Sequence, residues 1–171
     1  LYTAGWPLRF FQISGISVNS VVKLKLRGGA MPIRPTYKHS EVTDQIIGVF
    51  YDVYNEMGFG FLESVYRNSL QFALLDKGLA VEAEVSVSVF FRGRNVGDFQ
   101  ADLVVNKCIL LELKTANAIV AAHEAQVLNY LRATSLELGL ILNFGPKPQV
   151  RRLLLDNPRK HLRAYSAKGS V

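Results

Sequence analysis

The order of elements legible in this chain predicts an α/β fold of the mixed (α+β) kind, a sheet with helices packed against it. Three observations carry that expectation. Apolar residues recur at helical spacing from residue 40 onward, the period changes to two at Val81, and an apolar run over residues 138–144 follows a further helical stretch. Read in order, the elements are α-α-β-β-β-α-β.

The first helix starts at Ser40, a good N-cap residue, with Glu41 and Asp44 where the helix dipole favours acids. Val42, Ile46, Val49, Phe50, Val53 and Tyr54 form its stripe, and Gly58-Phe59-Gly60 breaks it. A second helix spans residues 62–77, with Leu62, Val65, Tyr66, Leu70, Ala73 and Leu74 as its core stripe and Gly78 as its stop. Val81, Ala83, Val85, Val87 and Val89 alternate with Glu82, Glu84, Ser86 and Ser88, the pattern of a half-buried strand. Arg92-Gly93-Arg94-Asn95 is a turn, followed by strands over residues 96–105 and 108–115 that join near Asn106-Lys107. Residues 121–133 read as a helix and 138–144 as a buried strand.

Residues 1–38 show no clear period and form an N-terminal extension. Met31 is the first methionine, so residues 1–30 read as upstream sequence foreign to the native protein; the alternative is an extra strand over residues 17–26. The domain proper is expected over residues 39–150, and residues 151–171 as a basic C-terminal tail. That tail is either a solvated end or an arm whose Arg151 and Arg152 contact phosphates.

Bulk properties narrow the classes. The 171 residues suit one domain with a sizeable core, and 49% apolar content argues against disorder. No apolar run approaches the ~20 residues that span a bilayer, so no membrane partner is expected. Cys108 is the single cysteine, which excludes an intrachain disulfide and a multi-cysteine zinc site and suits a reducing cytoplasm. A formal charge of +6 favours polyanionic partners. No nucleophile elbow, Walker A or Rossmann glycine pattern is present.

The densest chemistry lies in Ala-Asp-Leu-Val-Val-Asn-Lys-Cys-Ile-Leu-Leu-Glu-Leu-Lys, where charged groups interrupt strand-like apolar sequence. Glu112 and Lys114, two apart on a strand, point to one face. Asp102 lies on the preceding strand. Buried carboxylates need a partner, and hard oxygen ligands suit Mg²⁺ or Mn²⁺. The plain alternative is a surface Glu–Lys pair. Register separates the two. A two-residue turn at Asn106-Lys107 sets Asp102 opposite Leu111 and sends the carboxylates to opposite faces; an odd-length loop or a bulge puts them on one face. The metal-site reading therefore expects a loop other than the plain two-residue one. Glu63, Tyr66 and Arg67 share one face of the second helix, as either a Glu63–Arg67 surface pair or a third carboxylate for the site. His123, Gln126 and Tyr130 share a face of the third helix, where a lone histidine is more often structural than catalytic.

Together these residues resemble a known family. Gly-Phe-Gly-Phe-Leu-Glu-Ser-Val-Tyr with its Gly60-x-x-Glu63-x-x-Tyr66 spacing, Ala101-Asp102-Leu103, Glu112-Leu113-Lys114, the run from His123 to Leu131, and Gly139-Leu-Ile-Leu-Asn143-Phe144 are similar to the motifs of the small bacterial GxxExxY proteins. Those are grouped with the PD-(D/E)xK nuclease superfamily. The resemblance implies a restriction-endonuclease-like core, a mixed, mostly four-stranded sheet with a helix on each side. It implies Glu63 as the helix-borne acid, Asp102 and Glu112 (with Glu63) as ligands of Mg²⁺ or Mn²⁺, Lys114 as the catalytic lysine, and Gln126 with Tyr130 as supporting residues. One departure is Ala101 where the superfamily often has proline. The function so implied is metal-dependent hydrolysis of phosphodiester bonds in DNA, or RNA. The runner-up is a catalytically silent nucleic-acid-binding or regulatory module. Tyr66, Arg67, His123, Tyr130, Arg151 and Arg152 are the expected nucleic-acid contacts, and a homodimer or a protein partner stays open.

Overall fold

The computed structural model describes residues 38–156. The expectations for residues 1–37, including the extra strand and the start at Met31, and those for residues 157–171 lie outside them. The elements are α1 (Ser40–Met57), α2 (Glu63–Asp76), β1 (Val81–Phe91), β2 (Arg94–Val105), β3 (Ile109–Lys114), α3 (Ala121–Ala133), β4 (Leu138–Asn143) and β5 (Gln149–Leu154).

The five strands form one sheet in the order β1-β2-β3-β4-β5. Neighbours are antiparallel except β3 and β4, which run parallel because α3 connects them. The mixed sheet flanked by helices is the expected class. Its fifth strand is the difference, since β5 pairs along β4 where the sequence reading has a tail.

Two apolar layers sandwich the sheet. On one face, Ile46, Phe50, Tyr66, Leu70 and Leu74 of α1 and α2 meet Leu103, Leu111, Leu113, Leu140 and Leu142. On the other, Val127, Tyr130 and Leu131 of α3 meet Val104, Leu110 and Ile141. Local sequence explains the helix limits with two adjustments. The N-cap of α1 is His39, at φ 57°, and Ser40 is its first helical residue. The buried stripe of α2 starts at Tyr66, so Leu62 and Val65, expected in the core, are exposed. Gly78, at φ 79°, ends α2 in a Schellman arrangement in which Leu79 N–H donates to the Leu74 carbonyl at 3.1 Å and Gly78 N–H to that of Leu75 at 2.8 Å.

The hairpin of β1 and β2 does not keep one face throughout. Ala83 and Leu103 pack toward α1 and α2, whereas Val85 and Ala101, two residues along each strand, belong to the α3 layer. Glu84, between them, takes φ 53°, a left-handed conformation unusual for a non-glycine residue. That residue re-aims the hairpin, so the alternation from Val81 to Val89 serves two layers rather than one.

The segment after β3 is pinned by β4. Asn143, fully buried, accepts from Ala116 N–H at 2.9 Å and donates to the Ala116 carbonyl at 2.8 Å. A Cβ on Gly145 would overlap that same carbonyl oxygen, so only glycine lets the two segments approach. Replacing Asn143 with alanine leaves both backbone groups without their side-chain partner. Asn143→Ala is expected to lower unfolding free energy by about 2–4 kcal/mol in urea titration. A loss under about 1 kcal/mol would show that the loop holds its own shape.

Candidate active site

The loop between β2 and β3 is three residues long, Asn106-Lys107-Cys108, with Asn106 at φ 49° and Lys107 at φ 54°. Leu103 pairs with Leu111 and Val105 with Ile109. Asp102 and Glu112 stand one residue beyond the last of these pairs, Glu112 on the α3 side with Leu110 and Asp102 where the hairpin changes face. The loop is of the odd length that the metal-site reading requires.

Backbone and side-chain donors fix each carboxylate. Asp102 Oδ2 accepts from Leu113 N–H at 2.7 Å. Glu112 Oε1 accepts from Lys114 Nζ at 2.6 Å. Glu63, the first residue of α2, reaches the end of β3, where its Oε1 accepts from Thr115 N–H at 3.3 Å. Glu112 Oε2 is buried and has no hydrogen-bond partner.

Burial sets the electrostatics. The Glu112 side chain is only 3% exposed, and desolvation, with the charges of Asp102 and Glu63, pushes its carboxyl up to about 7 despite the Lys114 hydrogen bond. Asp102 is raised too, chiefly by burial, with the Leu113 N–H, Lys114 and Arg67 pulling the other way. Burial works against the Lys114 ammonium, but its bond to Glu112 and the surrounding acids hold its pKa above the ordinary lysine value. Tyr130 is raised first by burial and then by the fields of Glu112 and Asp102, with Gln126 and Lys114 opposing, which places its hydroxyl near the carboxylates. That hydroxyl accepts from Gln126 Nε2 at 2.8 Å and donates to the Gln100 carbonyl at 3.0 Å.

Asp102, Glu112, Lys114, Glu63, Gln126 and Tyr130 are therefore gathered around the end of β3. The other expected contacts are placed differently. Tyr66 is fully buried, stacked on Phe144 at 4.3 Å, and its hydroxyl donates to the Gly58 carbonyl at 2.8 Å and accepts from Phe61 N–H at 3.3 Å. From there it holds the glycine loop before Glu63. Arg67 pairs with Glu84 at 2.9 Å and lies 3.9 Å from Asp102, and its Nε is buried without a hydrogen-bond partner. His123 Nδ1 accepts from Val120 N–H at 3.4 Å, closing the first turn of α3. Arg151 and Arg152 are neighbours on β5 and face opposite sides of the sheet. Arg151 bonds Glu124 of α3 at 2.6 Å, and Arg152 donates to the Lys38 carbonyl at 2.6 Å. They belong to the edge strand β5 rather than to an irregular tail. Glu84 and Asn143, which the sequence reading does not single out, matter as much. Asn143 is legible as a polar residue in an otherwise apolar strand, and Glu84 only from its backbone.

A scan against family models matches residues 40–153 to the PD-(D/E)XK nuclease superfamily, more than half of the chain. The chain belongs to the PD-(D/E)XK nuclease superfamily. No curated protein matches significantly. The solved structure of SSO0001 is similar at 22% identity with a TM-score of 0.44, over 69% of this chain and 60% of that one, so the chain spans less than two thirds of that protein. No helix among the described residues is long and apolar enough to cross a membrane.

PD-(D/E)XK nucleases typically use divalent metals. Among the described residues of this superfamily member, no three His, Cys, Asp or Glu side chains form a ready-made metal cluster. The residues nonetheless fit a divalent cation. Two neighbouring carboxylates, one with a buried oxygen that has no hydrogen-bond partner, are hard oxygen donors of the kind a divalent cation takes.

The folded chain holds the Glu112 proton more tightly than the unfolded chain does. The cost of ionising it is fully present above pH about 7 and is relieved as pH falls toward the ordinary value of 4.5. Relative to Glu112→Gln, the metal-free wild type is expected to lose about 2 kcal/mol of unfolding free energy between pH 5 and pH 8. Parallel pH dependences for the two proteins would place the carboxylate in water. Addition of Mg²⁺ at pH 8 is expected to raise the melting temperature of the wild type and not that of Glu112→Gln.

Proposed function

We propose that this chain is a metal-dependent nuclease of the GxxExxY kind that hydrolyses phosphodiester bonds of DNA, with RNA as the alternative substrate. The observation that carries the reading is Glu112. Its Oε1 is held by Lys114 at 2.6 Å and its Oε2 is buried without a hydrogen-bond partner, in the field of Asp102. The Gly60-x-x-Glu63-x-x-Tyr66 spacing supports the finer family placement, because Tyr66 fixes the loop from which Glu63 enters.

Asp102 and Glu112 would hold Mg²⁺ (or Mn²⁺), and Glu63 would join them only by moving off Thr115 N–H. When bound, such an ion lowers the pKa of a water and polarises a phosphoryl oxygen. The remaining work falls to the chain's own groups. Lys114, held charged by its acidic neighbours, positions or activates the attacking water and offsets the negative charge that develops on the phosphorus oxygens. Leu113 N–H and Arg67 keep the Asp102 carboxylate aimed. Gln126, whose amide donates to the Tyr130 hydroxyl, would orient the phosphate or the water. Thr115 N–H keeps Glu63 at the mouth of the site.

The test is cleavage of a mixed panel of labelled DNA and RNA with Mg²⁺ or Mn²⁺. Wild type is expected to cut only with metal. Glu112→Ala and Lys114→Ala are each expected to lower the rate by at least about 100-fold. Equal cutting by all three proteins would trace the activity to a contaminant and end the proposal.

A further inference from the structure

The outer half of the β1–β2 hairpin stands clear of both core layers, and every residue from 90 to 100 is exposed. Surfaces of that kind are ordinarily polar. This one carries Phe90, Phe91, Val96 and Phe99 at 62%, 61%, 60% and 40% exposure. It also carries Arg92 and Arg94, which have no ion-pair partner among the described residues, and Arg92 lies over the Phe91 ring at 5.2 Å.

The register sorts these side chains. Val87 pairs with Phe99 and Val89 with Gly97; a bulge follows, after which Phe91 pairs with Arg94. Alternation then puts Val87, Val89, Phe91, Arg94 and Phe99 on one face, the α3 side. The opposite face carries Ser88, Asn95 and Asp98, tied to one another by hydrogen bonds of 2.6–3.1 Å. The polar network thus shares its face with Phe90, which pairs with Asn95, whereas Phe91, Phe99 and Arg94 share the other. That second face is continuous with the candidate active site. Phe99 makes an edge contact with Tyr130 at 5.6 Å, and the next carbonyl, Gln100, accepts from the Tyr130 hydroxyl at 3.0 Å.

We infer that this hairpin face is a stacking platform for an unpaired nucleic-acid strand, with Phe91 and Phe99 taking bases and Arg94 taking phosphate, leading the strand to Glu112 and Asp102. The choice of ligand rests on the nuclease reading above. Exposed ring faces recognise bases only when those bases are unpaired, and the nearby arginines supply the backbone attraction. A second copy of the chain fits less well, because a self-complementary contact would bury Arg92 and Arg94 against apolar surface with no acid to meet them.

The test is fluorescence anisotropy in EDTA, on the full chain, with a short labelled single strand and the duplex of the same sequence. Wild type is expected to prefer the single strand. Phe91→Ala is expected to weaken that binding by roughly fivefold or more with an unchanged salt slope, and Phe91→Trp to retain it. Arg94→Gln is expected to flatten the slope by about 0.7. Phe91 is exposed, so its removal leaves the core intact. Equal single-strand binding by Phe91→Ala and wild type overturns the inference. So does a preference for duplex, or a wild-type dimer in sedimentation that Phe91→Ala disperses. Because binding is read without metal, the two readings fail separately. Phe91-dependent binding without any cleavage removes only the hydrolase. Cleavage lost in Glu112→Ala beside unaltered binding by Phe91→Ala removes only the platform.

Discussion

The arrangement rests on the cost of keeping an ionised carboxylate out of water. Glu112 sits in the middle of the sheet with Asp102 and Glu63 near by, and the donors around the three are shared out unevenly. Leu113 N–H goes to Asp102, Thr115 N–H to Glu63 and Lys114 to one oxygen of Glu112. Arg67 divides itself between Glu84 and Asp102. Two groups are left over, since Glu112 Oε2 and Arg67 Nε are both buried without a hydrogen-bond partner. A fold that only needed stability would place leucine there, since well-packed apolar groups are often as stable as buried charge. Apolar layers on both faces make that leftover oxygen costly, and Glu112 responds by keeping its proton up to pH about 7.

The rest of the domain serves that arrangement by fixing backbone. Asn143 brackets Ala116 and Gly145 lets it come close, so the chain leaving β3 has one path. On the other side Tyr66, locked between Phe144 and the carbonyl of Gly58, sets where α2 begins and hence where Glu63 enters. Glu84 turns the hairpin so that Ala101 joins the α3 layer while Leu103 stays with α1 and α2. Asp102 lies at that crossover. Unusual backbone next to a charged cluster is a common way to re-aim one side chain.

Much of this is legible in the sequence, and the exceptions share a cause. Periodicity finds both first helices, α3 and four strands, because each buries one stripe or one face. It misses β5, where Gln-Val-Arg-Arg-Leu-Leu puts two arginines side by side after Pro146 and Pro148 and so reads as a basic tail. In a strand those neighbours part to opposite faces, and each finds its own partner. Tyr66 and Arg67 are recognisable as special but not as to role, because that depends on which side of α2 meets the sheet. The nearness of Asp102 and Glu112 reduces, at the level of sequence, to one integer, the number of loop residues between their strands. Only the fold supplies that integer.

That integer has a consequence for how this gene can vary. Surface loops generally accept insertions and deletions at little cost. The Asn106-Lys107-Cys108 loop is a surface connection by position but not by tolerance. A single-codon deletion there would have to be absorbed by sliding β3 against β2, which parts the acids, or against β4, which breaks six parallel pairings from Ile109 to Lys114. Length drift in descendants of this sequence is therefore confined to other connections, such as the tip at Arg92-Gly93. Two chains of this type that differ in length between these two strands cannot share the same site by simple alignment of their motifs.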